Sequence, residues 1–147
     1  MESFEDEVMF VAQNCLAKRI RKSSRTITKI FNDALAPLDL TSSQCNLLIP
    51  LAVKKDSGMS PAKACELLGM EKSTLSRNMK ILIKRGLAEV QAGSGASQIM
   101  YRITEQGCQI LSKAFPLWRK ANLRASSCLA EENLAEVDNP RSLIKRQ

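Results

Sequence analysis

Apolar residues at Leu16, Ile20, Ile27, Phe31 and Leu35 fall at helical intervals, the spacing that lays one greasy stripe along a helix. The pattern predicts a single long amphipathic helix from Val8 to Leu35, with Pro37 helping to end it. In "TSSQCNLLIPLA", Thr41 precedes Gln44 by three positions, a capping box whose side chains satisfy the first free amides of a second helix. Pro50 removes a donor inside that helix, so a kink or an early end is expected there. A third, short helix follows in "SGMSPAKACELLG": Ser60 caps it, Pro61 takes the first helical position and Gly69 terminates it.

A turn of a few residues leads into "KSTLSRNMKILIKRG", a fourth helix from about Lys72 to Arg85 closed by Gly86. Two short helices joined by a tight glycine-containing turn have the form of a helix-turn-helix. On a helical wheel Leu75, Met79 and Leu82 gather on one side, while Ser73, Arg77, Lys80 and Lys84 run along the other. No acidic residue interrupts that polar side. A helix that is merely solvated usually mixes charge signs, so a stripe of only cations and hydroxyls suits phosphates and base edges better.

"LAEVQ" and "QIMYRIT" alternate as strands do, Ile99, Tyr101 and Ile103 against Met100, Arg102 and Thr104. The glycine-rich "AGSGAS" between them joins two antiparallel strands. A loop that cradles phosphate would instead lead from a strand into a helix and carry a lysine. It is therefore a hairpin tip, the wing that follows a helix-turn-helix. Thr104 caps a last helix from about Glu105 to Ser127, which Pro116 bends, and at most two further turns precede the interruption at Asp138, Asn139 and Pro140. The fold class expected is mainly α with one small β-hairpin.

The chain has 147 residues, 44% hydrophobic and 25% charged, enough for one domain with a real core. No run approaches the roughly eighteen apolar residues of a membrane span. The acidic start, Glu2, Glu5, Asp6 and Glu7, is unlike the positive region of a secretory signal, which predicts a cytoplasmic protein without a membrane partner. Histidine is absent, and the five cysteines (Cys15, Cys45, Cys65, Cys108, Cys128) form no CxxC pair. The usual general base and the commonest metal ligand are missing, so neither an enzyme, a metal site nor a cofactor is expected. A formal charge of +7, from 22 basic and 15 acidic residues, favours polyanionic partners. From Thr41 to Thr104 nine basic residues face four acidic ones, a net of +5. Six basic residues and no acidic one lie between Lys18 and Lys29, but a charge run on a helix is more often a solvated face.

"CLAKRIRKSSRTITKIFNDALAPLDLTSSQCNLL", "MSPAKACELLGMEKSTLSRNMKILIKRGLAEV", "YRITEQG" and "KAFPLWRKAN" resemble, in order, segments of the MarR family of winged-helix transcription regulators, over Cys15 to Asn122. The resemblance implies a sequence-specific regulator of double-stranded DNA, a repressor on the commonest pattern. It acts as a homodimer on a palindromic operator and is released by a small ligand or an oxidant. It divides the single chain into an N-terminal dimerisation helix (8–36), a winged helix-turn-helix lobe (41–104) and a C-terminal dimerisation helix with tail (105–147). Ser73, Thr74, Ser76, Arg77 and Lys80 fall on the recognition helix. A guanidinium can bond guanine O6 and N7 together, so Arg77 is assigned base edges, and Lys72, Lys80 and Lys84 are assigned phosphates.

Many members carry Asp-x-Arg at the wing tip, where this chain has Gly95, Ala96 and Ser97. Ser94, Ser97 and Gln98 then offer only neutral hydrogen bonds, which predicts weaker affinity or a shifted operator preference. The family's further C-terminal helix is short here and broken by Pro140. Cys15 is the best thiol for a redox-sensing alternative, with Lys18 and Arg19 one turn away. Sensing members nevertheless place their reactive cysteine at the position of Ala17. A small aromatic or anionic effector between the dimer helices and the lobe, met by Arg21 or Arg25, is the other implied signal. The rival outside DNA binding is a winged-helix protein-interaction module.

Overall fold

A computed structural model describes residues 3–95 and 98–131. Helices α1 (Phe4–Asn14) and α2 (Leu16–Leu35) are followed by a 3-10 turn (Ala36–Leu38). Next come α3 (Ser42–Val53), α4 (Pro61–Leu68), α5 (Lys72–Lys84), strands β1 (Ala88–Ala92) and β2 (Ile99–Ile103), and α6 (Glu105–Glu131). The fold is thus mostly helical with one two-stranded antiparallel hairpin, as the pattern predicted. The described residues group into two compact units, one drawn from residues 3–30 and 121–131, the other from residues 31–120.

In the first unit the single N-terminal helix expected from Val8 to Leu35 is instead two. Ser3 and Asp6 form a capping box that starts α1 at Phe4, and Cys15 leaves helical geometry at φ −65°, ψ 106°. Its amide closes on the Val11 carbonyl, and its own carbonyl accepts from Arg19, so Cys15 ends one helix and begins the next. The pattern carries the reason. Phe4, Val8, Val11 and Cys15 share one stripe, but Leu16, Ile20 and Ile27 share another that is one residue out of phase. An unbroken helix would turn the second stripe about 100° away from the first.

The second unit holds the lobe. Leu35, Leu47, Leu48, Leu51, Leu75, Met79 and Leu82 are each at most 2% exposed and form its centre, joined by Leu87, Tyr101, Ile103, Leu111 and Ala114. The Thr41 box forms as expected, with Thr41 Oγ1 accepting from the Gln44 amide at 3.2 Å and Gln44 Oε1 from the Thr41 amide at 3.1 Å. Pro50 does not stop α3, which runs on to Val53. The proline forfeits only the bond to the Asn46 carbonyl, and Asn46 lies exposed. Ser60, Pro61 and a left-handed Gly69 bound α4, also as expected. Helix α6 contains Pro116 and extends past Ser127 to Glu131. Phe31 and Trp118 meet with ring centroids 6.1 Å apart.

The strands pair from Ala88 opposite Ile103 to Ala92 opposite Ile99. A further rung, outside the hairpin, has no counterpart in the sequence reading: Met59 and Tyr101 exchange backbone hydrogen bonds at 2.9 and 2.8 Å. One residue of extended chain is too short to show a period. The start of α6 is fastened by Thr104, whose hydroxyl donates to the Gly86 carbonyl at 2.6 Å and accepts from the Gly107 amide at 3.0 Å. The tail after Glu131, including the expected break at Pro140, lies outside the described residues, as does Ser97.

Candidate nucleic-acid interface

The core fixes how α5 lies. Leu75, Met79 and Leu82 are 1%, 1% and 0% exposed, so the side carrying Lys72, Ser73, Arg77, Lys80 and Lys84 faces solvent. Thr74 and Ser76 are half-buried at its margin. The helix contains no acidic residue, and the nearest, Glu71, sits at its N-cap without a capping hydrogen bond. Arg77 reaches back along the helix, its Nη2 donating to Thr74 Oγ1 at 3.4 Å, while Asn78 donates to the Thr74 carbonyl at 3.0 Å. That contact is long enough to be given up when a better acceptor arrives.

Several other cations of the lobe are already engaged. Lys55 pairs with Glu105 at 3.3 Å, and the hydrogen bond its ammonium donates to that carboxylate is the main cause of a pKa above the usual lysine value. Lys63 pairs with Glu66 at 3.1 Å. Arg85 serves a different purpose. Its guanidinium donates through Nη2 to the Leu38 carbonyl at 3.1 Å and through Nη1 to the Asp39 carbonyl. The Asp39 carboxylate stands 4.0 Å away, and Asp39 itself is left-handed at φ 52°. One side chain therefore ties the C-terminal end of α5 to the turn before α3. Sequence reasoning placed Arg85 at the helix end but missed this fastening, because its partners are backbone carbonyls that no motif marks. Among the described residues, Lys72, Lys80 and Lys84 form no salt bridge.

At the hairpin tip the Gly93 amide donates to the Gln98 carbonyl at 2.6 Å and the Gln98 amide to the Gly95 carbonyl at 3.1 Å. Ser94 and Gln98 are exposed, so both offer neutral groups to solvent. Glu89 on β1 is also exposed and accepts from Gln91 Nε2 at 2.6 Å, adding an acid to the wing. Cys15 is half-buried at the joint between α1 and α2. Lys18, expected to favour its thiolate, donates to the Ala12 carbonyl at 3.4 Å. Arg21 and Arg25 are exposed. Cys45 is buried, and burial pushes its thiol pKa up. Among the described residues no cluster of metal-ligating side chains occurs, and no helix is long and apolar enough to cross a membrane.

No protein-family profile matches the chain, and no curated protein matches it by sequence. Solved structures do match. A cysteine-to-serine mutant of MarR from E. coli, complexed with operator DNA, superposes with a TM-score of 0.75 at 19% identity over 93% of this chain and 96% of that one. The M. tuberculosis regulator MosR in complex with DNA gives 0.70 at 25% identity, over 84% and 93%. A probable transcriptional regulator from Pseudomonas aeruginosa gives 0.72 at 20% identity, over 92% and 98%. Superposed on these three over 84–93% of its length, the chain has the MarR-family winged-helix fold.

Proposed function

We propose that this protein is a sequence-specific, DNA-binding transcriptional regulator that acts as a homodimer on a palindromic operator and is released by a small ligand. The observation that carries the reading is the solvent-facing side of α5, where Lys72, Arg77, Lys80 and Lys84 stand together with no acid on the helix and with its apolar side sealed in the core. Such a surface exchanges counterions for phosphates, and its hydroxyls and guanidinium can address base edges. Arg77 reads a base, Lys72, Lys80 and Lys84 hold phosphates, and Ser73, Thr74 and Ser76 line the contact. Ser94, Ser97 and Gln98 supply a neutral wing. That two solved neighbours carry DNA adds support from outside the chain.

The dimer rests on a separate observation. Helix α1 buries none of its residues, and Phe4, Val8, Met9, Phe10 and Val11 are 48–80% exposed, with Leu123 exposed on α6. Apolar surface of that extent on a helix asks for a partner. A second copy supplies one. The test is a gel-shift series against genomic fragments at rising salt, with the parent and Arg77→Ala. Retarded bands that fade steeply with salt, and a specific site that Arg77→Ala no longer prefers, support the reading. Salt-independent association with protein and none with DNA would sink it in favour of a protein-interaction module.

A further inference from the structure

Within the lobe, Ile49, Pro50, Val53, Met59, Leu67 and Leu68 wall a cavity of about 480 Å³ between α3 and α4, with Asn46 and Lys54 as its polar lining. Its volume is in the range of small-molecule sites. Val53 and Leu67 are 77% and 57% exposed, a cost in apolar surface that nothing in the lobe's own packing recovers. The polar edge is one-sided. Lys54 has no ion-pair or side-chain hydrogen-bond partner among the described residues, while its neighbour Lys55 is held by Glu105. The acid nearest the cavity on α4, Glu66, is held by Lys63, and Asp56 does not line the space.

We infer that this cavity is a binding site for an apolar carboxylate, its hydrocarbon body against the Ile49, Pro50, Leu67 and Leu68 wall and its anionic head at the Lys54 ammonium. The wall is aliphatic and has no ring for stacking, so a flexible alkyl chain suits it, and Met59 adapts to the chain's shape. The site lies wholly within the lobe and owes nothing to the DNA-binding reading, so either can fail alone.

The test uses octanoate and octylammonium as matched probes of opposite charge, titrated calorimetrically into the full chain. Octanoate is expected to bind with a dissociation constant of about 0.1–1 mM, as befits so small a ligand. Lys54→Glu should shift the octanoate-to-octylammonium affinity ratio by about five- to tenfold toward the amine, the scale of an exposed charge reversed. Lys113→Glu, the same change of net charge on α6, should leave the ratio alone. Leu67→Asp should abolish binding of both probes while thermal melting stays near the parent's. Absence of octanoate binding at millimolar concentration, or an unchanged ratio in Lys54→Glu, overturns the proposal. Self-association that Leu67→Asp removes and octanoate does not compete away overturns it too, since the cavity then belongs to a contact between copies.

Discussion

Arg77 and Lys80 stand one turn apart on the same exposed helix, yet they are expected to fail differently. Arg77→Ala removes the only planar, bidentate donor of α5, so it should cost about 1–3 kcal/mol at the specific site and flatten discrimination there. Lys80→Ala should weaken all sequences alike and lower the salt slope by about one, read from gel shifts at several ionic strengths. Gly107 is a residue of another kind. A Cβ there would collide with the Leu87 carbonyl oxygen and lie 2.6 Å from Ile103 Cγ1. Neither neighbour can yield, because Leu87 precedes β1 and Ile103 ends β2. Gly107→Ala should therefore destabilise the lobe by about 3 kcal/mol in denaturant melts. Burial raises the pKa of both the Cys45 thiol and the Tyr101 phenol. A group whose native pKa is raised contributes stability fully present below its unfolded value and lost as pH rises. Stability should hold up to about pH 9, the ordinary thiol value, and then decline through pH 10 and above, with Cys45→Val postponing the first part of the decline.

Elements announce themselves in the sequence to the extent that their determinants are local. The caps at Thr41, Ser60 and Thr104 are read within four residues, and each forms. The division of α5 into a buried and a polar side follows from one turn of helix and is borne out residue by residue. What stayed hidden depends on distant partners or on phase. The Met59–Tyr101 rung and the Arg85 fastening each join segments some forty residues apart through backbone atoms. The break at Cys15 was legible, but only by comparing the apolar stripes on either side of it. Helix α1 depends on its capping box, in which the Ser3 hydrogen bonds hold the Asp6 carboxyl pKa below the usual value. A lowered carboxylate contributes stability above its ordinary pKa and loses it as pH falls. Acidification below about pH 4 should fray α1, as should Ser3→Ala at neutral pH, both seen as lost helical circular dichroism. At the wing, Ser97→Arg restores a cation where the resemblance expects one and should tighten DNA binding severalfold.

For the molecule as a whole, the formal charge of +7 overstates what a polyanion can meet on the lobe. Lys55 and Lys63 are paired, Arg85 is spent on carbonyls and Lys54 stands at the α3–α4 cavity, so the α5 cations are the main cluster left to supply the field. The salt slope of DNA binding should thus report about three to four phosphates per lobe rather than the lobe's full count of cations. The same lobe has one pairing that sets its timetable of assembly. Strands β1 and β2 are neighbours along the chain and can zip together within microseconds, but the rung from Met59 to Tyr101 closes a loop containing all of α4 and α5. The edge of the hairpin consequently stays open until both helices have docked. During synthesis or refolding that interval is when the unprotected strand is most prone to pair with another chain.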